Sequence, residues 1–158
     1  MRLSQGVEWA LHCCVSLTQA AEPVPAARLA ELHGVPTAYL AKQLQALSRA
    51  GVIHSIPGQM GGYVLTQPPS AITALQIVVA IEGDVPVFQC TEIRQNGPLG
   101  VDPAKCSKRC AIARAMATAE HAWREALAEI SIADLVAGID ADSSNTAIDG
   151  LRRWLATG

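Results

Sequence analysis

Two pairs of side chains have the types and spacing for metal or redox chemistry. Cys106 and Cys110 stand four positions apart at the start of what reads as a long helix, which would project both sulfurs from one face about one turn apart. Two thiolates so placed can hold one iron or zinc, or act as a redox dithiol. Lys105, Lys108 and Arg109, with the helix N-terminus, favour the thiolate form. Glu8 and His12 repeat the spacing on the first helix. Carboxylate and imidazole are competent metal ligands, and equally a pair that stabilises itself on a solvated face. Cys90 stands apart as a further ligand, a packed residue or a resolving thiol. Cys13 and Cys14 are adjacent and point different ways on a helix, so both are expected as small buried apolar residues. Trp9, next to Glu8 and one turn from Cys13, is either a buried aromatic or an indole packed over a redox site.

Composition limits what surrounds these groups. The chain has 158 residues, half of them apolar and 16% charged, which suits a packed domain and excludes a disordered chain. A net charge of -2 argues against a protein basic throughout, the usual footprint of a polyanion binder. No apolar run long enough to span a membrane and no secretory leader pattern is present, so a cytoplasmic protein with no membrane association is expected. In that reducing compartment an odd count of five cysteines points to metal or redox use rather than structural disulfides. The phosphate-cradling GxxxxGK motif, GxSxG and HExxH are absent, and no enzyme is expected.

The elements that must position these residues follow from periodicity. Val7, Ala10, Leu11, Cys14, Val15 and Leu17 recur at the helical repeat, giving an amphipathic first helix. Pro25 opens a short helix that ends at Gly34, and a further helix runs from about Thr37 to Ala50 on Leu40, Leu44 and Leu47. Two helices joined by a tight glycine-containing turn make a helix-turn-helix candidate. On the face opposite the leucines lie Ala38, Lys42, Gln45 and Arg49, a surface suited to phosphates and base edges. Val52–Ile56 and Tyr63–Thr66 flank a glycine-rich tip and predict a hairpin wing, followed by a helix over Ile72–Ile81. Residues 25–66 carry Arg28, Lys42 and Arg49 against Glu31, a local charge of +2. Residues 84–105 lose period and predict a long functional loop. A helix from about Cys106 to Ile130, with Ile112, Met116, Ala119, Trp123 and Leu127 on one stripe, suits a helix-helix interface, and Ser131 to Val136 could continue it. The polar stretch 138–149 predicts disorder before a short terminal helix. The fold class is thus mainly α with a small β-hairpin wing. Its parts are a winged helix-turn-helix domain (1–83), a loop (84–105), a long C-terminal helix (106–137) and a flexible acidic tail (138–158).

The leucine-spaced helix ending in Ala50-Gly51, followed by Gly58, Gly61-Gly62-Tyr63 and Leu65, resembles the Rrf-type winged helix-turn-helix transcriptional regulators, a family with iron-sulfur and nitric oxide sensors among its members. The resemblance covers about residues 1–137. It implies a homodimer joined through the long C-terminal dimerisation helices, with recognition helices in successive major grooves of a palindromic double-stranded DNA operator and wings at the flanking minor grooves. Carried over by position, Thr37, Ala38, Tyr39, Lys42 and Gln43 read the major groove and phosphates, and Gln59, Met60 and Gly61 approach the minor groove. Arg49 adds a cation to that face. Pro57 stands where many members carry an arginine, so the arginine inserted in a minor groove is not expected here.

Cluster-bearing members of the family place cysteines in the loop and at the start of the long helix. Here Cys106 follows Cys90 only after sixteen positions, which departs from the usual close spacing of three. Combining Cys106 and Cys110 of one subunit with Glu8 and His12 of the other gives four ligands, enough for a 2Fe-2S iron-sulfur cluster of mixed ligation by analogy with Rieske centres. The expected function is a redox-switched repressor in which a one-electron change beside Trp9 shifts DNA affinity. Three alternatives stand beside it. One is a nitric oxide or iron-sulfur-status sensor with a different cluster that uses Cys90. Another is a cluster-free thiol switch joining Cys106 and Cys110, and the last is an adaptor that kept the fold without binding DNA.

Overall fold

The computed structural model describes residues 2–144 and 146–157. The chain divides into two compact units, one formed by Arg2–Asp84 with the segment from Leu127 onward, the other by Val85–Ala126.

In the larger unit, α1 (Gln5–Leu17) turns Val7, Ala10, Cys13, Cys14, Val15 and Leu17 inward. α2 (Ala26–His33) begins where Pro25, whose missing N–H costs nothing at a helix start, accepts from the amides of Arg28 and Leu29. It stops at Gly34, whose φ of 62° is the left-handed conformation that glycine adopts without strain. α3 (Thr37–Arg49) then buries Leu40, Leu44 and Leu47. Strands β1 (Ile53–Ile56) and β2 (Gly62–Leu65) pair antiparallel, from Ile53 opposite Leu65 to Ile56 opposite Gly62. Tyr63 also exchanges both backbone hydrogen bonds with Val24, which ties the wing to the chain ahead of α2. A Cβ at Gly62 would lie 2.4 Å from the Val24 carbonyl carbon, so that approach requires glycine.

α4 (Ala74–Glu82) and α6 (Ile132–Asp142) open side by side. Thr73 and Ser131 form an antiparallel bridge, and each begins its helix with a reciprocal capping box, to Gln76 and Asp134. The core of this unit is built on Leu29, Leu40, Leu44, Leu47, Ile53, Ile72, Ile77 and Ile132, all fully buried. Removal from water contributes about 1.5–3 kcal/mol for each such side chain.

The expected disorder over 138–149 gives way to helix. α6 runs to Asp142, and α7 (Ala147–Ala156) follows. The reason is packing that composition hides: Leu135, Val136, Ile139 and Leu155 lie against the core, and Ile148 is buried. Arg28 sits over the Trp154 ring at 3.5 Å and donates Nη2–H to the Trp154 carbonyl, which fastens α7 to α2.

In the smaller unit, Val85–Cys110 contains two short 3-10 turns, Ile93–Gln95 and Pro103–Lys105. α5 spans Ala111–Ala128, and Ile112 and Met116 on it are exposed. The long helix thus starts five residues later than expected at Cys106, because Pro103 and the Asp102 cap on the Ala104 amide close a separate turn first. It also ends at Ala128 rather than continuing: Ser131 is extended at φ -87°, ψ 164° and begins α6 as a new helix.

Candidate functional site

The surface suited to nucleic acid lies on α3 and the wing. Thr37, Ala38, Tyr39 and Lys42 are exposed on its first two turns, and the Lys42 ammonium stands 5.4 Å from the Tyr39 ring centroid. Gln43 is placed differently: it is half-buried, with its amide against Gly6 of α1. Arg49, exposed in the last turn, borders a cavity of about 430 Å³ that α4 lines with Gln76, Val79 and Ala80. At the wing tip Gln59 and Met60 project, Met60 being 83% exposed. Gly61 is required by the turn itself, since a Cβ there would overlap the Ile56 carbonyl oxygen at 2.2 Å.

Glu8 and His12 are exposed one turn apart on α1, and no hydrogen bond engages either side chain among the described residues. They open onto a groove of about 800 Å³ whose apolar walls are Val7, Leu11, Val15, Leu135 and Ile139. Trp9 between them is half-buried and packs on the core. Cys13 and Cys14 are fully buried, and desolvation raises the Cys13 thiol to about 12, leaving it neutral. His33, at the end of α2, has its ring centroid 5.7 Å from that of His12. Ser16 links them: its hydroxyl donates to the His12 carbonyl at 2.9 Å, and His33 Nε2 lies 3.2 Å from the same oxygen. Burial, and then the neighbouring His12, hold His33 below the ordinary histidine range. The sequence gives no sign of this pairing, because twenty-one positions separate the rings.

The cysteines of the smaller unit depart from the expected helical pair. Cys106 is half-buried and closes the Pro103–Lys105 turn at φ -88°, ψ 59°, outside any helix. Cys110 directly precedes α5, and its carbonyl accepts from the Arg114 amide. Its thiol is held below the ordinary cysteine range first by the Ala113 amide, then by that of Ile112, with further help from Arg94 and Cys90. A sulfur at a helix N-terminus meets unpaired N–H groups and the positive end of the dipole, which is why the anion is favoured.

Arg94 was not anticipated. Its Nε donates to Glu92 at 2.6 Å and its Nη2 to the Lys108 carbonyl at 2.8 Å. Cys90 is exposed and donates to the other Glu92 oxygen at 3.7 Å. Among the described residues no three of His, Cys, Asp and Glu come together within one chain to hold a metal ion. No helix among them is long and apolar enough to cross a membrane.

Comparison with known proteins places this arrangement. Residues 3–138 match the sequence pattern of the Rrf2 family, described as an iron-dependent transcriptional regulator. The chain is 29% identical over 140 residues to the HTH-type transcriptional repressor NsrR of Streptomyces coelicolor, covering 87% of this chain and 89% of that protein. It is 30% identical over 92 residues to the HTH-type transcriptional regulator IscR of Escherichia coli, 57% of each. The solved structure of CymR, the global cysteine regulator of Bacillus subtilis, superposes with a TM-score of 0.63 at 25% identity, over 87% of this chain and 97% of that one. With the family pattern running from the start of α1 through most of α6, over a helix-turn-helix and its wing, this chain belongs to the Rrf2 family of DNA-binding transcriptional regulators.

Proposed function

We propose that this regulator acts as a homodimer carrying an iron-sulfur cluster, of the 2Fe-2S type, at the subunit boundary, and that the charge of that site sets its affinity for a palindromic operator. The observation that carries the reading is Cys110, which directly precedes α5 so that its thiol meets the first amides of that helix. A metal-binding thiolate needs such an electropositive, accessible setting.

The donor set fits. Two thiols from one subunit, with the carboxylate of Glu8 and the imidazole of His12 from the other, supply the four ligands that two irons require. Glu8 and His12 are exposed and without hydrogen bonds among the described residues, open to atoms of a second copy. Exposed Ile112 and Met116 supply apolar surface on α5 for the dimer. Cys106 is the thiolate partner expected for Cys110; Cys90, tied through Glu92 and Arg94 to the Lys108 carbonyl, is a second candidate for that role.

When bound, the cluster supplies a one-electron change of charge. The chain provides a short route for it. His12 contacts His33 at the end of α2, and Ser16 bridges the two, so a shift at the ligand helix reaches the helix-turn-helix without an intermediate layer. A hundredfold change in DNA affinity needs about 2.7 kcal/mol of coupling, within the usual range.

The test is to purify the protein without oxygen, record absorption and EPR spectra before and after dithionite, and measure DNA binding of both forms. Loss of the visible spectrum in Cys110→Ala and His12→Ala, and different DNA affinity of the two redox forms, is the expected result. Unchanged spectra in both variants would overturn the site. Cys90→Ser and Cys106→Ala then identify the second thiolate, and loss of colour in both points to the three-thiolate sensor of nitric oxide or iron-sulfur status. A cluster-free thiol switch is the second reading, favoured by the connection from Cys90 through Glu92 and Arg94 to the Lys108 carbonyl; protein that is colourless when purified without oxygen selects it.

A further inference from the structure

We propose that Glu92 and Arg94 form a clamp that draws Cys90 toward the Cys110 end of the loop and sets a fixed cation there. The inference builds on the reading of Cys110 as a site residue.

Twenty positions separate the two cysteines, and closing a chain of that length costs entropy that grows with the logarithm of its length. Something must hold the ends. The Glu92 carboxylate accepts from the Cys90 thiol through one oxygen at 3.7 Å and from Arg94 Nε through the other at 2.6 Å. The Arg94 Nη2 group then reaches the Lys108 carbonyl at 2.8 Å, two residues before Cys110. Cys90, Glu92, Arg94 and Lys108 therefore form a continuous connection across the two ends of the loop. A guanidinium can do this because its donors diverge in one rigid plane; an ammonium has no such fork.

The backbone is shaped for the same purpose. Glu92 adopts φ 53°, ψ 38°, a left-handed conformation that costs a non-glycine residue energy and that turns its side chain between Cys90 and Arg94. Behind it the Val101 amide donates to the Arg94 carbonyl at 2.9 Å, so the intervening chain folds back on the clamp. The Arg94 side chain retains 29% exposure, which leaves the cation accessible to the site rather than consumed in a core. Arg94 is thus a positioning residue, acting through Glu92 and the Lys108 carbonyl.

The experiment uses the full chain in two states. Cluster-free protein is oxidised with diamide, the two thiols giving two electrons and two protons to the azo bond, which becomes a hydrazine. Disulfides are located by peptide mapping under non-reducing conditions. In the wild type the first disulfide is expected between Cys90 and Cys110, and Arg94→Gln is expected to form it about fivefold more slowly or worse, the factor that one hydrogen bond of ordinary strength is worth. Cluster-loaded protein is titrated by spectroelectrochemistry. Arg94→Gln is expected at a lower midpoint potential, because the reduced site is more negative and has lost its cation. Arg94→Lys keeps the charge and loses the fork, so it is expected to oxidise slowly yet keep the wild-type potential.

A wild-type rate in Arg94→Gln, or a first disulfide joining Cys106 and Cys110, overturns the clamp. An unchanged potential in Arg94→Gln overturns the role of its charge. Should Arg94→Gln fail to fold by circular dichroism, Glu92→Gln breaks the same connection and takes its place. Wild-type protein that never shows cluster absorption sinks the cluster reading instead, and the disulfide map still decides the clamp.

Discussion

The side-chain amide of Gln43 on α3 lies against the backbone of Gly6 on α1, its Cδ 2.8 Å from where a Cβ would stand. The helix that carries Glu8 and His12 therefore touches the helix that presents Tyr39 and Lys42. Gly6→Ala is expected to leave the fold intact, because the displaced atoms end a flexible side chain and alanine is the better helix former by about 1 kcal/mol. DNA binding should weaken by roughly three- to tenfold, the worth of a misplaced polar contact. Fluorescence anisotropy with a labelled duplex, beside a thermal melt, checks both; unchanged affinity would show that this packing does not set α3.

Lys42 is exposed on α3 and engaged by Tyr39 alone among the described residues. If its ammonium meets a phosphate, Lys42→Ala should weaken binding evenly across sequences and reduce the slope of log affinity against log salt by about one. An altered sequence preference with the slope unchanged would instead mean that Lys42 reads a base edge.

Ser131 caps α6, its hydroxyl and amide both bonded to Asp134. First the hydroxyl and then the amide hold the Asp134 carboxyl below its ordinary value. A depressed folded pKa contributes stability that is full above the unfolded value and lost as pH falls through the folded one. Ser131→Ala should cost about 1 kcal/mol at neutral pH, the usual worth of an N-cap. Urea unfolding of both proteins should show that difference shrinking below about pH 4.

Trp154 lies outside the stretch that matches the family, yet it stacks on Arg28, whose Nε is buried without a hydrogen-bond partner among the described residues. Trp154→Ala would remove the ring and leave a cation in a partly covered site, for an expected loss of about 1–3 kcal/mol. Denaturant unfolding measures it, and a Trp154→Phe variant should recover part of the loss.

The cysteines should separate by reactivity. Cys13 is pushed up to about 12 by burial, and Cys14 is pushed up by burial and then by Cys13, whereas Cys110 is lowered and Cys90 is exposed. Iodoacetamide on native cluster-free protein at pH 8 should modify Cys90 and Cys110 and spare Cys13 and Cys14 until urea is added. Labelling of Cys14 in the native protein would mean that α1 opens.

The sequence by itself determined the scaffold. Leu40, Leu44 and Leu47 at helical spacing, Pro25 and Gly34 at the two ends of α2, and the glycines of the wing each act through neighbours a few positions away, so their meaning survives without coordinates. The exposed surface of α3 was legible for the same reason: one helix periodicity places Ala38 and Lys42 on one face. The arrangement of the cysteines was less so. Cys106 and Cys110 read as a helical pair, and the Pro103–Lys105 turn separates them from that geometry. Polar residues after position 138 read as disorder, and Ile139, Ile148 and Leu155 found the core. His33 beside His12, Arg94 on the Lys108 carbonyl and Arg28 over Trp154 are pairings made only when distant segments pack. Periodicity reports the turn above and below a residue; which remote group shares its environment is decided by how buried apolar surface brings whole elements together.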